Sequence, residues 1–381
     1  MKANSPIPFF DLRRQYRHLK NEIDEALQGV LQHGAFVRGP EVDLFADELC
    51  AYLQGEKVVP CGNGTDALQI ALMTLDLKPG DEVIVPSFTY PATAEVVALL
   101  GLSPRFVDSD ENTFCLSAER VAPYITKRTK AIIPVHLYGQ PAPMEEILQL
   151  AEAYNLYVVE DNAQAMGATY TFSNGETRKT GTIGDIGCTS FFPSKNLGAY
   201  GDGGALTFGK NEELAQKAKK IANHGQKEKY LHECIGCNSR LDSLQAAVLR
   251  VKLRYLDKFN ARRREIAALY DRELSSLEGA IQIPFRPSYS SHVFYQYTLR
   301  VYAGKRDALK AYLSEKGIST GIYYPRSVLQ QSAYKVWRDQ CVDVPISERL
   351  PKEILSLPMF PELEDQEVER VTTAIIDFFK R

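Results

Sequence analysis

The chain has 381 residues, of which 44% are hydrophobic, so it can bury a large core and is expected to form one large domain and a smaller one. Its 45 basic and 48 acidic residues are scattered and give a formal net charge of −3, which argues against nucleic acid as a partner. No stretch approaches the roughly 20 apolar residues of a membrane span, so we expect a soluble, cytoplasmic protein without a membrane partner.

The first chemical signal along the chain is a loop with two glycines at residues 61–66. It follows the short apolar run 58–60 and opens a helical pattern over 67–77. Glycines permit a tight turn, and the free N–H groups at the start of a helix attract a phosphate. A phosphate site is one interpretation of this loop. The other is an ordinary strand-to-helix turn, many of which carry two glycines.

Strand and helix patterns then alternate. Apolar runs predict strands at 82–86, 105–107, 131–135 and 156–159, and helical patterns occur at 92–100, 118–125 and 144–154. This order predicts the α/β class, with a mostly parallel sheet and helices on both faces. The run 156–159 leads into Glu160 and Asp161, which places an acid at the end of a buried strand, where open α/β sheets carry their chemistry.

Lys195 lies in a loop between two further β-like stretches, 188–192 and 204–208. A lysine held between apolar stretches loses hydration, which lowers its pKa and favours the neutral amine that forms a Schiff base with an aldehyde. A pyridoxal phosphate enzyme needs such a lysine, a carboxylate that keeps the pyridine nitrogen protonated, and a phosphate cradle. Lys195, Asp161 and the loop 61–66 are candidates for the three roles, so pyridoxal 5′-phosphate is the predicted cofactor.

The last third of the chain predicts a smaller α+β unit. A charged helical pattern over 241–277 predicts a connecting helix. It is followed by a β-like alternation at 293–299, a helix near 306–316, the segment 319–324, and a closing helix near 366–380. We therefore predict a large cofactor-binding domain over residues 1–250 and a small C-terminal domain over 251–381.

Seven cysteines between Cys50 and Cys341 fit a reducing compartment better than a disulfide framework. Cys234 and Cys237 form a C-x-x-C pair, but a tetrahedral zinc site needs two further ligands, and only His224 and His232 are near in sequence. We therefore expect no metal, and favour a loop with two unpaired thiols.

Several short motifs follow one another along nearly the whole chain. They include FDL at 10–12, GPEV at 39–42, NGTDAL at 63–68, PGDEVI at 79–84, FTY at 88–90, PVHLYGQ at 134–140, EDNAQ at 160–164, the loop 190–198, NHG at 223–225, NSRLD at 238–242 and LPM at 357–359. In this order they resemble the DegT/DnrJ/EryC1/StrS family of sugar aminotransferases. The resemblance implies a fold-type-I pyridoxal phosphate-dependent transferase, similar to aspartate aminotransferase. Its large domain would hold the mostly parallel sheet, and its small C-terminal domain would be α+β.

The resemblance also implies roles around the cofactor ring. Lys195 would bind the cofactor aldehyde and then move the proton between Cα of the amino donor and C4′ of the cofactor. Asp161 would pair with the pyridine nitrogen, Gln164 would approach the phenolic oxygen or the ring face, and Tyr90 would stack on the ring. The alternatives are a strand-end cap for Asp161 and a surface position for Gln164.

At the phosphate end, the resemblance implies that Gly64, Thr65 and Ser190 supply N–H and hydroxyl donors. Asn238 would reach the phosphate from the neighbouring subunit. The active site would then be shared, and the protein would be an obligate homodimer.

The implied reaction is a transamination in which L-glutamate gives its amine to the cofactor and a nucleotide-linked keto sugar collects it. The most similar subgroup consists of enzymes that aminate C3 of UDP-2-acetamido-2-deoxy-3-oxo-glucuronate for bacterial surface polysaccharides such as lipopolysaccharide O-antigen. Arg240 is the candidate for binding the uronate carboxylate, because a planar guanidinium group can donate hydrogen bonds to both carboxylate oxygens. A salt bridge at the dimer interface is the alternative role for Arg240.

One departure from the family pattern concerns the substrate. Many relatives carry His-Tyr-Pro where this chain has Tyr323, Tyr324 and Pro325. Both tyrosines are candidates for substrate binding, but near neutral pH a phenol does not readily become a cation as an imidazole does. This weakens the uronate assignment and leaves open a 3-keto or 4-keto 6-deoxy hexose on dTDP or UDP.

Two other classes of protein also fit the resemblance. In a pyridoxamine-dependent sugar dehydratase, histidine typically replaces the anchoring lysine, whereas this chain has Lys195. A non-catalytic regulator would be free to lose Lys195, Asp161 and Gln164, and all three are present.

Overall fold

The structure is a computed structural model that describes residues 5–54, 57–209, 211–338 and 343–381. Its strands are β1 (Val58–Cys61), β2 (Glu82–Pro86), β3 (Ser103–Val107), β4 (Thr129–Ile132), β5 (Tyr157–Asp161), β6 (Thr169–Thr171), β7 (Thr177–Lys179), β8 (Ile186–Ser190), β9 (Gly204–Thr207), β10 (Gln226–Glu228), β11 (Leu231–His232), β12 (Ile281–Gln282), β13 (Ser290–Ser291), β14 (Tyr297–Val301) and β15 (Ile354–Leu357). Within these described ranges, seven strands form the central sheet in the order β1-β9-β8-β5-β4-β2-β3.

The central sheet is mostly parallel, as predicted. Strands β3, β2, β4, β5 and β8 pair in parallel, and β9 runs antiparallel between β8 and β1. All five residues of β2 are buried, since both faces of the sheet are covered by other elements. The carboxyl ends of β1, β5 and β8 therefore lie at the same edge of the sheet.

Helices surround this sheet and continue beyond it. They are α1 (Leu12–His33), α2 (Pro40–Tyr52), α3 (Gly64–Thr74), α4 (Ala92–Leu99), α5 (Ala118–Val121), α6 (Met144–Tyr154), α7 (Glu212–Ile221), α8 (Ser243–Leu253), α9 (Leu256–Leu274), α10 (Arg306–Glu315), α11 (Lys335–Arg338), α12 (Pro345–Glu353) and α13 (Asp365–Phe379). Helix α1 was not predicted, although its ends carry clear signals. The Asp11 carboxylate accepts from the N–H groups of Arg13 and Arg14, and Gly34 ends the helix in the left-handed conformation.

The C-terminal part has its own sheet and hydrophobic core. Strands β12, β14 and β15 form an antiparallel sheet, and buried residues such as Tyr270, Tyr297 and Leu309 pack together with side chains of α9, α10 and α13. Ile7, from the N-terminal segment, belongs to the same core, where its N–H donates to the Gly317 carbonyl at 2.8 Å. The proposed division into 1–250 and 251–381 falls inside α8 and stays a prediction.

Two predicted elements of this part differ from the structure. The helical pattern over 241–277 forms two helices, because a tight turn between the Tyr255 N–H and the Lys252 carbonyl separates α8 from α9. Helix α8 packs on α1 and α2, whereas α9 packs on α13. The β-like run 293–299 enters a strand only at Tyr297, because Phe294 has a φ of 45° and the chain bonds to the Tyr138–Gly139 backbone instead.

A buried pair anchors β5, the strand that ends in Asp161. His136 and Glu160 are fully buried, with 2.8 Å between Nε2 and Oε2. The His136 Nδ1 accepts from the Ala142 N–H, so Nε2 carries the hydrogen that is donated to Glu160. Glu160 also accepts from the N–H groups of residues 181, 183 and 184. Burial alone would raise the pKa of Glu160, but the His136 hydrogen bond and the backbone N–H groups hold it below the usual value.

We expect Glu160→Gln to destabilise the cofactor-free protein by about 3–5 kcal/mol at pH 7, because the new amide presents N–H donors to groups that already donate. The pKa of Glu160 is lower in the folded protein than in the unfolded chain, where it is roughly 4.3. The ionised side chain therefore stabilises the fold above that pH, and this stabilisation is lost as the pH falls through the folded-state pKa. Urea unfolding from pH 7 down to pH 3 measures this difference. Glu152→Gln, at an exposed position on α6, is the control, and equal midpoints for the two variants at pH 7 would contradict the assignment.

Three sequence predictions concern features that the described residues do not show. No helix among the described residues is long and apolar enough to cross a membrane. The described cysteines, including Cys234 and Cys237, are free thiols, whereas Cys341 lies outside the described residues. In the same part of the chain, no group of three or more Cys, His, Asp or Glu side chains is arranged to hold a metal ion.

Candidate active site

A cavity of about 550 Å³ opens at the sheet edge where β1, β5 and β8 end. The strand register explains why these ends meet, since Gly204 at the start of β9 pairs with both Cys61 and Ser190. Asp161 pairs with Cys188 on the other side of β8. The cavity is lined by these residues predicted from the sequence: Gly64, Thr65, Tyr90, Asp161, Gln164, Ser190, Lys195, Tyr323 and Tyr324.

The loop 61–66 forms one end of the cavity. The Asn63 side chain caps α3 by accepting from the Asp66 N–H at 2.8 Å, so that Gly64 and Thr65 are the first two helical residues. Their N–H groups have no acceptor within the helix and can serve an anion. A Cβ on Gly64 would lie 2.6 Å from the Ser190 Cβ, so only glycine allows this close approach. The helix start and the Ser190 hydroxyl therefore meet at one pole, which suits a phosphate.

Asp161 lies deep in the cavity and is 6% exposed. Its Oδ2 accepts from the Thr93 hydroxyl at 2.8 Å, and its Oδ1 accepts from the Ala163 N–H at 3.2 Å. Burial raises the pKa of Asp161, and these bonds and the charge of Lys195 only partly offset this effect. A cationic partner would stabilise the carboxylate in this place, as a protonated pyridine nitrogen would.

Gln164 is buried beside Asp161, which excludes the surface alternative. Its Oε1 accepts from the Tyr138 N–H at 2.8 Å, and its Nε2 donates to the Tyr324 hydroxyl at 3.1 Å. Gln164 therefore holds Tyr324 at the wall of the cavity. Tyr90 stands at the rim with 57% of its surface exposed, and its ring centroid lies 5.9 Å from that of Tyr324. An aromatic ring so exposed beside a cavity can stack on a planar ligand.

Lys195 projects from the loop after β8, and its Nζ lies 4.5 Å from the centroid of the Tyr295 ring. The Tyr295 hydroxyl is 3.3 Å from the Ser194 hydroxyl. Burial would raise the pKa of Tyr295, but the charge of Lys195 and the hydrogen bonds of Ser194 and Gln296 leave it below its ordinary value. The Lys195 amine thus shares its end of the cavity with an acidified phenol.

Asn238 and Arg240 are not brought to this cavity within one chain. Asn238 is exposed, and Arg240 lines a second cavity of about 350 Å³ together with Arg38 and Lys219. Ser239, between them, accepts from the Gly62 N–H at 2.9 Å and donates to Asp66 Oδ2 at 2.6 Å. The segment is therefore attached to the back of the phosphate loop of its own chain, and the predicted roles of Asn238 and Arg240 need a second subunit.

Two residues of the site were not predicted from the sequence. Thr93 is fully buried and bonds to Asp161, and Tyr295 faces Lys195. Thr93 lies three residues after the FTY motif that ends at Tyr90, and its contact with Asp161 is visible only in the structure. Tyr295 lies in an alternating run that reads as a strand, and only the turn at Phe294 directs it to the cavity.

The cavity residues fit pyridoxal phosphate. Gly64 cannot accept a Cβ, so the helix start stays open to a phosphate, and Asp161 is a buried carboxylate that a pyridinium would balance. When bound, the cofactor supplies an aldehyde carbon and an electron-accepting ring. Lys195 would hold it at the aldehyde, and Asp161 at the ring nitrogen. Fold and site together define a pyridoxal phosphate-dependent transferase.

Comparisons with known proteins specify the family. The family model described as the DegT/DnrJ/EryC1/StrS aminotransferase family matches residues 17–376. The chain belongs to this family, whose aminotransferases depend on pyridoxal phosphate. The chain is 44% identical to a protein of Geobacillus stearothermophilus named pleiotropic regulatory protein, over 98% of this chain and 99% of the relative.

Two further relatives are named as enzymes. A UDP-N-acetyl-3-dehydro-α-D-glucosamine 3-aminotransferase of Acidithiobacillus ferrooxidans is 43% identical over 98% of each chain. A UDP-2-acetamido-2-deoxy-3-oxo-D-glucuronate aminotransferase of Pseudomonas aeruginosa is 42% identical over 97% of this chain and 99% of the relative.

Solved structures agree with the fold. DesV of S. venezuelae, solved with a ketimine intermediate, matches with a TM-score of 0.92 and 40% identity over 99% of both chains. The NtdA protein of Bacillus subtilis, solved with bound pyridoxamine phosphate, matches with a TM-score of 0.92 and 32% identity over 100% of this chain and 86% of that one.

Proposed function

We propose that this enzyme transfers the amino group of L-glutamate to C3 of a UDP-linked 3-keto sugar, with UDP-2-acetamido-2-deoxy-3-oxo-glucuronate as the first candidate. The observation that carries the proposal is the single cavity that joins Lys195, Asp161, Gln164 and the start of α3. Two relatives at 42–43% identity are named for UDP sugars with a 3-keto group, which supports both the nucleotide and the carbon position.

Each cavity residue would have one task in the reaction. Lys195 Nζ would form the bond to the cofactor aldehyde and, once the amino donor displaces it, carry the proton that moves between Cα and C4′. Asp161, held by Thr93 and Ala163, would keep the pyridine nitrogen protonated. Tyr90 would cover one ring face, and Gly64 would hold the phosphate through its N–H group.

Absorption spectroscopy with pyridoxal phosphate tests this proposal. A yellow cofactor band should be bleached by glutamate and restored by the uronate. We would compare the rate of restoration with that for UDP-N-acetyl-3-dehydro-glucosamine and for 3-keto and 4-keto 6-deoxy hexoses on dTDP and UDP. Restoration only by a 6-deoxy hexose would select the alternative substrate. A deoxygenated product would select a dehydratase. Absence of cofactor uptake would select a regulator, the role after which the Geobacillus relative is named.

Homodimerisation with shared active sites is part of the proposal. Phe36 and Val37 are 47% and 53% exposed, and Val37 pairs with Asp242 at the end of the segment that contains Asn238 and Arg240. Exposed apolar side chains that lie side by side, as Phe36 and Val37 do, are candidates for an association surface. Mixing inactive Lys195→Ala with the weakened Asn238→Ala protein should raise the activity to about a quarter of wild type above the Asn238→Ala background, because a hybrid dimer keeps one complete site. No restoration would argue for independent sites.

Arg240→Ala should raise the KM for the uronate by about 10- to 100-fold, the loss expected for a charge-assisted hydrogen bond of about 1.5–3 kcal/mol. The KM for glutamate should change less than about two-fold, and so should that for UDP-N-acetyl-3-dehydro-glucosamine, whose sugar has no carboxylate. Steady-state kinetics with all three substrates measure this split. Arg38→Ala, in the same second cavity, is the control. Equal effects on all three substrates would show that Arg240 is an interface residue only.

The place of the reaction in the cell is proposed as well. Amino sugars on UDP are building blocks for surface polysaccharides, and the proposed product would enter bacterial O-antigen synthesis. Free thiols in the described chain support a cytoplasmic location.

A further inference from the structure

The loop that carries Lys195 is closed tightly at its base. The Lys195 N–H donates to the Phe192 carbonyl at 2.8 Å, and the Ala199 N–H donates to the Phe191 carbonyl at 2.8 Å. A Cβ on Gly198 would lie 2.3 Å from the Pro193 carbonyl oxygen, so the two ends of the loop touch. A small displacement of the Gly198 end would therefore move the part of the loop that holds Lys195.

Helix α8 holds the Gly198 end of this loop from behind. The Lys252 Nζ donates to the Gly198 carbonyl at 2.7 Å, and the Gln245 Oε1 accepts from the Tyr200 N–H at 2.8 Å. Lys252 and Gln245 are seven residues apart, which places them two turns apart on one face of the helix. Between Lys195 and Gly198, the Asn196 amide donates to Asn260 at 2.7 Å and to the Val293 carbonyl at 3.1 Å. The loop is thus anchored at Asn196, Gly198 and Tyr200, within five residues after Lys195.

Lys252 is an unusual residue to find in such a place. It is 1% exposed, and in the described part of the chain its hydrogen-bond partner is a backbone carbonyl rather than a carboxylate. Its Nζ also lies 4.3 Å from the centroid of the Tyr200 ring. Burial lowers the pKa of Lys252 to about 7, against the opposing influence of Glu362. A buried cation without an ionic partner is costly, and an apolar side chain of the same length would avoid the cost.

We propose that Lys252 is a positioning residue for Lys195, which it holds in place through the Gly198 carbonyl. The proposal rests on the proposed role of Lys195 in the reaction. Without the Lys252 bond, the Gly198 carbonyl is buried without its donor, and the loop keeps the Asn196 anchor, the Gln245–Tyr200 bond and its backbone bonds. Lys195 then samples positions away from the cofactor aldehyde, and a misplacement of about 1 Å costs up to about 100-fold in rate.

Lys252→Met tests the proposal, with amide hydrogen exchange of the cofactor-free protein as the first readout. Exchange of a peptide over 192–200 should accelerate at least about ten-fold, while a peptide over Glu82–Pro86 stays unchanged. Turnover should fall about 10- to 100-fold, by the same factor in both half-reactions, because both use Lys195. Lys258→Met, at an exposed position on α9, should alter neither readout.

Lys252→Gln is the second variant, because its amide nitrogen falls one atom short of the Nζ position while the side chain stays polar. It should reproduce the effects of Lys252→Met, and it decides the question if the methionine variant does not fold. Wild-type exchange in the loop of either folded variant would overturn the proposal, and so would a rise in exchange throughout the protein. Local loosening in a protein with no aminotransferase activity would support the anchoring by Lys252 and separately refute the proposed function.

Discussion

Lys195→Ala is expected to abolish transamination, with a loss in turnover of at least about 10⁴-fold. General acid–base catalysis alone contributes up to this factor, and the variant also loses the nucleophile that binds the cofactor aldehyde. The side chain projects into the cavity beside Tyr295 and, among the described residues, makes no hydrogen bond or ion pair on which the fold depends, so the variant should fold. It should still take up cofactor without a covalent bond, through the phosphate loop and Asp161.

Borohydride reduction followed by mass spectrometry measures the covalent part of this prediction. The wild-type protein should retain the mass of the cofactor on the peptide that contains Lys195, and the variant should retain none. Lys258→Ala, at an exposed lysine, is the control and should behave as wild type. Near-normal turnover by Lys195→Ala would refute the proposed mechanism.

Asp161→Asn is expected to lower turnover by about 10²- to 10³-fold, the usual effect of removing one preorganised electrostatic partner. Asparagine keeps the shape of the side chain and can still accept from Thr93, but it cannot balance a pyridinium. Affinity for pyridoxal phosphate should fall as well, and titration of the cofactor-free protein measures this. Thr93→Val, which removes one hydrogen bond to Asp161 and leaves its charge, should show a smaller loss in both quantities.

Although Asp161→Asn should lower turnover and cofactor affinity, it should not lower the stability of the cofactor-free protein. Burial raises the folded-state pKa of Asp161, so the proton contributes stability that is fully present below the unfolded pKa of roughly 3.9 and is lost as the pH rises through the folded pKa. Ionisation of Asp161 therefore costs stability in the folded protein, and Asp161→Asn removes the ionisable group. Thermal unfolding at pH 7 should show equal or greater stability for the variant. Lower stability would mean that Asp161 is chiefly a strand-end cap.

The central sheet, Lys195, Asp161 and the loop 61–66 followed from local patterns in the sequence. Strand β5 and the acid at its end were predicted from a short apolar run, and α6 was predicted at its observed bounds. This worked because a buried parallel strand is continuously apolar, and the direction of such strands places their carboxyl ends together. The family motifs then added Tyr90, Gln164 and Ser190, which line the same cavity.

The first two helices were missed although their caps are visible in the sequence, with Asp11 before α1 and Pro40 opening α2. In α1, apolar residues such as Leu19, Ile23 and Val30 also recur at helical spacing, so both the cap and the periodicity of this helix could have been recognised in the sequence. Asn238 and Arg240 show a different limit of prediction from a single sequence. Their motif is clear, but one chain places them away from the cavity, so their proposed function depends on a second copy.

The sequence by itself determined which chemical groups the protein has and on which elements they lie: the amine of Lys195, the acid of Asp161 and the helix start at Gly64. Only the tertiary structure decided how they are held. Thr93 on Asp161, Tyr295 facing Lys195, and Lys252 behind Gly198 all join segments far apart in the chain. Such contacts depend on packing between elements, whereas sequence patterns report the local conformation and burial of a single element.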